Sequence, residues 1–152
     1  EAPDPALTPE ENVLALARAK AFGAGGEGDI VVGCDTVVVL GGEILGKPKD
    51  ARDAARMLRG LSGKAHRVLT GVYIRCPEGR RAFYEETAVY FRVLSDAEID
   101  GYVKSGEPMD KAGAYGIQGG ASVFVRRIEG DYFNVVGLPL CRLYEELKKL
   151  GL

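Results

Sequence analysis

The sequence contains a single histidine, His66, no tryptophan, and only three cysteines, Cys34, Cys76 and Cys141, in 152 residues. One histidine rules out a His-rich zinc centre, and the cysteines are an odd number with no C-x-x-C spacing. A reducing cytoplasm is therefore the expected compartment. No apolar run approaches the roughly 20 residues that span a bilayer, and no signal-peptide pattern opens the chain, so a soluble protein without a membrane partner is expected. Lys and Arg number 20 against 22 Asp and Glu, a net charge of -2. That balance supplies no basic field to hold nucleic acid, and any polyanion must be met by local lysines or arginines. The chain opens on Glu1 rather than methionine, which leaves room for residues upstream.

With 28% charged and 46% hydrophobic side chains, the sequence suits one compact domain or two small lobes around a sizeable core. Glycine is abundant, 21 residues, about twice the usual share of roughly 7%. Many of these glycines sit in pairs or beside polar residues, as in tight loops near a ligand.

Thr8 and Glu11 have capping-box spacing with Pro9 at the first helical position, which predicts a helix to Phe22. Its apolar stripe carries Val13, Leu16, Ala17 and Ala21, and Lys20 falls on the same stripe. Lys20 either snorkels at the helix end or points into a cleft. Residues 30–40 read as a strand covered on both faces, as in a mixed or parallel sheet. A carboxylate inside such a run, Asp35, must be held by a cation, a metal or several donors, or by turn amides beside Gly33. A short return strand is expected over 43–45, a helix from the Asp50 cap to Gly60, long strands over 67–75 and 83–93, and a helix over 95–104 opened by Ser95 and Glu98. Strands are also expected over 121–128 and 132–136. A last helix from Pro139 should bury Leu140, Leu143, Tyr144, Leu147 and Leu150. The whole is α/β with a mixed sheet.

Gly41 to Lys47 satisfies the phosphate-loop pattern, but the following Pro48 offers neither a hydroxyl for magnesium nor an N–H for a phosphate. The glycines at 113, 116, 119 and 120 either supply positive φ or let a planar base approach Gln118, whose amide both donates and accepts. His66 has no nucleophile partner and Cys34 reads as a small core residue. Asp50, Asp53, Asp96, Asp100, Glu145 and Glu146 read as solvated helix faces. Lys20, Asp35, Thr36, Lys47, Asp110, Lys111 and Gln118 remain, at element ends or in glycine-rich loops. Lysines beside carboxylates suit a phosphate substrate carrying magnesium or manganese, since hard oxygen ligands favour those ions over zinc.

Gly33-Cys34-Asp35-Thr36-Val37-Val38, Gly46-Lys47-Pro48, Leu61-Ser62-Gly63 with His66, Gly106-Glu107-Pro108 and residues 110–119, DKAGAYGIQG, together resemble the Maf family of nucleoside triphosphate pyrophosphatases. So does Val135-Val136-Gly137-Leu138-Pro139-Leu140. The resemblance spans nearly the whole chain in order and is nearest the dTTP/UTP branch. It implies a single domain over 1–152, similar to inosine triphosphate pyrophosphatases: an elongated mixed sheet with flanking helices, in two lobes around a nucleotide cleft. It also implies hydrolysis of NTP to NMP and pyrophosphate with Mg2+ or Mn2+. By the same resemblance Asp35 is the proton acceptor or a metal ligand, Thr36 and Gln118 select the base, and Lys20 and Lys47 face phosphates, with Lys111 of the cleft set expected to join them. Glu1 has the spacing of the family's acidic metal-site residue. The family's N-terminal Ser-x-Ser-Pro-Arg-Arg loop is not in this sequence. The family's link to septum formation leaves a nucleotide-binding regulator of division as the alternative, and a homodimer as an open assembly.

Overall fold

A computed structural model describes residues 2–152. Its elements are α1 (Pro9–Phe22), β1 (Val31–Leu40), β2 (Glu43–Leu45), α2 (Ala51–Leu61), β3 (Ala65–Cys76), β4 (Gly79–Phe91), α3 (Asp96–Lys104), β5 (Val125–Glu129), α4 (Tyr132–Val136) and α5 (Leu140–Lys149). The strands form one open sheet in the order β2-β1-β3-β4-β5, flanked by helices, which is the expected α/β class. The sheet is antiparallel where a mixed one was expected. Val39 faces Ile44 across β1 and β2, and Val89 faces Ile128 across β4 and β5. The apolar run of β1 invited the mixed reading. Its interior place between two strands, rather than parallel pairing, buries Val37, Val38 and Val39.

The chain divides into two compact units. The first takes in the residues up to Thr36, Leu69–Glu86 and Asp131–Leu152. Here α1 begins at the expected capping box, in which the Glu11 N–H donates to Thr8 Oγ1 at 3.1 Å and the Thr8 N–H to Glu11 Oε2 at 3.0 Å. The helix lies directly on strand backbone at Gly33 and Gly71. Arg75 Nε closes its far end by donating to the Ala21 carbonyl at 2.7 Å. Val72, Ile74 and Phe83 form an apolar centre against Leu143, Leu147 and Leu150.

Two expectations fail in this unit. Residues 132–136 form the helix α4 and not a strand, because the Asp131 carboxylate caps it, accepting from the Phe133 N–H at 2.8 Å. In α5, Leu140 and Tyr144 are exposed, and it is Glu146 that is buried. Glu146 accepts from Arg81 at 2.6 Å, Arg142 at 3.0 Å and Lys149 at 3.1 Å. Those cations hold its carboxyl at about 2, well below the ordinary range, with the Arg81 bond the largest cause.

The second unit comprises Val37–Val68 and Thr87–Gly130. Asp50 caps α2, its carboxylate accepting from the Asp53 N–H at 2.8 Å, and the Ser95/Glu98 capping box opens α3. Leu58, Leu61, Val68, Val89 and Ile99 are fully buried or nearly so. The expected strand over 121–128 is shorter, because Gly120–Phe124 forms a 3-10 turn before β5. Ala121 and Phe124, three apart, both face inward in that turn, the spacing of a threefold helix and not of a strand. Among the described residues no helix is long and apolar enough to cross a membrane.

Candidate catalytic site

In the first unit the last turn of α1 carries Lys20 to β1. Lys20 Nζ donates to Asp35 Oδ1 at 2.6 Å and to the Cys34 carbonyl at 3.1 Å. The Asp35 side chain is 18% exposed, so it is partly desolvated and answered by one cation, while Lys20 remains half exposed. Snorkelling alone therefore does not describe Lys20. Among the described residues Asp35 Oδ2 makes no hydrogen bond, Lys20 holding the other oxygen. Burial raises the Cys34 thiol above its ordinary range, more than Lys20 lowers it, which keeps the thiol protonated and unreactive.

Thr36 follows Asp35 and, by strand alternation, points to the other face. Its Oγ1 lies 2.8 Å from Oγ1 of Thr70, a fully buried residue of β3 whose hydroxyl donates to the Asn134 carbonyl of α4 at 3.1 Å. The β1–β2 pairing runs over Val38–Leu40, just past Asp35 and Thr36 on the same strand. Thr70 was not legible as part of this site, since a threonine within a β-branched strand carries no separate signal.

In the second unit the glycine-rich loop is tied to the segment holding Lys47. The Gly113 N–H donates to the Gly46 carbonyl at 3.1 Å, and a Cβ at Gly113, φ 72, would lie 2.9 Å from Val38. Lys47 and Gln118 are both exposed. Lys111 is committed within the loop, donating to Asp110 Oδ1 at 2.9 Å and to the Glu107 carbonyl at 3.1 Å. Lys111, with a smaller contribution from Lys47, lowers the Asp110 carboxyl below its ordinary range. The Glu107 carboxylate, which sequence reasoning passed over, accepts the Gly120 N–H on both oxygens at 3.2 and 3.1 Å.

Beneath the loop His66 Nε2 and Tyr115 Oη are 2.6 Å apart, edge-on to Phe91. Burial pushes the His66 imidazole down to about 4 and raises the Tyr115 phenol. Both stay neutral and serve as core partners, in line with a structural histidine.

Lys20, Asp35 and Thr36 are thus gathered in one unit, and Lys47, Lys111 and Gln118 lie in the other. Glu1 lies outside the described residues. No group of three or more His, Cys, Asp or Glu that could hold a metal ion occurs among the described residues.

A family described as Maf-like protein matches residues 1–150. A protein of Geobacillus sp. (strain WCH70) named dTTP/UTP pyrophosphatase is 57% identical over 146 residues, covering 95% of this chain and 78% of its own length. Proteins of the same name from Geobacter sulfurreducens and Bacillus pumilus are 52% and 49% identical, covering 99% and 96% of this chain and 81% and 78% of their own lengths.

Proposed function

The chain belongs to the Maf-like protein family, and we propose that it is a nucleoside triphosphate pyrophosphatase that hydrolyses dTTP and UTP to the monophosphate and pyrophosphate. The names of its relatives support the substrate class. The observation that carries the chemistry is the partly buried Asp35 carboxylate, held on one oxygen by Lys20 at 2.6 Å, with no hydrogen bond to the other among the described residues.

In this reading a water oxygen bonds to the α-phosphorus while the bond from that phosphorus to the bridging oxygen of the β-phosphate breaks. Pyrophosphate leaves with the electron pair. Asp35 Oδ2 takes the water proton, and Lys20 fixes the carboxylate so that the second oxygen faces the reaction. Lys47 meets triphosphate oxygens, and Lys111 acts chiefly through the loop it ties down. Thr36 and Gln118 read the base.

A divalent cation fits this donor set in one way. Magnesium keeps several waters and is commonly held by one or two carboxylates together with substrate phosphates, so beside the triphosphate Asp35 would hold it through a bound water, its Oδ1 being taken by Lys20 and its Oδ2 by the proton transfer. When bound, Mg2+ or Mn2+ offsets charge on the phosphate oxygens.

The test is a nucleotide panel with magnesium, scored separately for pyrophosphate and orthophosphate. Pyrophosphate in equal amount to dTMP or UMP is expected. Orthophosphate with NDP, or no turnover, contradicts the reading.

A further inference from the structure

We propose that Thr70 is a positioning residue that fixes the hydrogen-bonding polarity of Thr36, so that Thr36 offers substrate only lone pairs and selects a base edge carrying an N–H. The inference rests on the reading of Thr36 as a base-selecting residue and adds what that residue can select.

A threonine hydroxyl has one proton and two lone pairs. Thr70 is fully buried, and its Oγ1 stands between two oxygens: the Asn134 carbonyl at 3.1 Å and Thr36 Oγ1 at 2.8 Å. A carbonyl can only accept, so the single Thr70 proton is spent on Asn134. The 2.8 Å contact is then a hydrogen bond only if Thr36 donates it. The reverse orientation would set lone pairs of Thr70 and Asn134 against each other where no water can intervene. The Asn134 carbonyl also receives, at 3.1 Å, the Gly137 N–H that the Phe133 carbonyl shares at 3.0 Å, so it acts as an acceptor towards the backbone as well.

With its proton directed inward, half-buried Thr36 has only acceptor capacity left for a ligand. Uracil and thymine carry a donor at ring N3, and cytosine carries a lone pair there. An acceptor facing that position pairs with the first two and opposes the third. The fold thus converts a hydroxyl, ordinarily tolerant of either partner, into a one-way reader. The backbone carbonyl at the base of the relay cannot be reversed by a rotamer change.

Pyrophosphate release from UTP by the unaltered protein is measured first, and its absence overturns the underlying function rather than the relay. The ratio of kcat/KM for UTP over CTP is then compared across variants. Thr70→Val keeps the shape and removes the proton relay, so the ratio should fall roughly tenfold, whereas Thr70→Ser, which restores the hydroxyl, should retain it. Thr70→Ala provides the same loss should the valine variant fail to fold. If Thr36→Val leaves the ratio unchanged, the base-selecting reading of Thr36 is wrong. If Thr36→Val lowers it and the Thr70 variants do not, the relay is wrong and the reading of Thr36 stands. Independently of any variant, 3-methyluridine triphosphate, lacking the N3 hydrogen, should be turned over at least roughly tenfold less efficiently than UTP by the unaltered protein. Equal turnover overturns the proposal.

Discussion

Gly33 faces the backbone of Ala17 with no room for a side chain between them: a Cβ there would lie 2.3 Å from the Ala17 carbonyl oxygen. Gly71 meets Val13 in the same way, at 2.3 Å. These two contacts seat α1 on the strands at the depth from which Lys20 reaches Asp35. Gly71→Ala should therefore destabilise the fold by about 1–3 kcal/mol, as overpacked sites do. It should also lower turnover through displacement of Lys20. Denaturant midpoints and kcat/KM together check this; a variant as stable as the parent would show that the helix can shift freely.

Glu146 is the second place where a single side chain organises its surroundings. Glu146→Gln leaves Arg81, Arg142 and Lys149 without their shared carboxylate. The loss should be about 1–3 kcal/mol, below that of a fully buried pair because the cations are themselves about half exposed. With the folded carboxyl at about 2 and an ordinary value of 4.5, the unfolded chain binds the extra proton between those values. The Glu146 contribution is present above pH 4.5 and lost as pH falls towards 2. A melting series in acid should show the parent losing this increment and Glu146→Gln lacking it.

His66 acts in a higher pH window. Its imidazole is held at about 4 against 6.5, so the unfolded state takes up the proton first. Stability is complete above pH 6.5 and falls as pH drops towards 4, by about 3 kcal/mol over the full span. Urea midpoints at pH 7 and pH 5 should differ for the parent and differ much less for His66→Phe. Parallel pH dependence in the two proteins would contradict the buried neutral imidazole.

The lysines should separate by their present commitments. Lys47→Ala removes an exposed cation and should weaken triphosphate binding and slow turnover while leaving the melting temperature near the parent's. Lys111→Ala breaks bonds to Asp110 and Glu107 and should lower stability as well as activity. Thermal melts beside kcat and KM for UTP distinguish the two; equal effects on stability would contradict the assignment.

Helix starts were legible wherever a local signal sufficed. Thr8 with Glu11 and Ser95 with Glu98 are reciprocal caps readable within four residues of chain, and both form as expected. Asp35 stood out because a carboxylate inside a β-branched run needs a partner, and Lys20 supplies it. Misreadings arose where a cap or a distant charge outweighed local composition. Aromatic and β-branched residues over 132–136 suggested a strand until the Asp131 cap is counted. Glu146 looked like a solvated charge because Arg81, its nearest cation, comes from another element. Thr70 and Glu107 were passed over for the same reason, their roles being defined by partners far along the chain.

The central claim is that Asp35 performs the proton transfer, and Asp35→Asn tests it most directly by keeping the shape while removing the charge. Pyrophosphate release from dTTP and UTP should fall by at least about a hundredfold in kcat/KM, consistent with loss of a general base. Circular dichroism and melting behaviour should remain those of a folded protein. Retention of more than about a tenth of kcat/KM, a loss of under roughly 1.4 kcal/mol in transition-state stabilisation, would contradict the account.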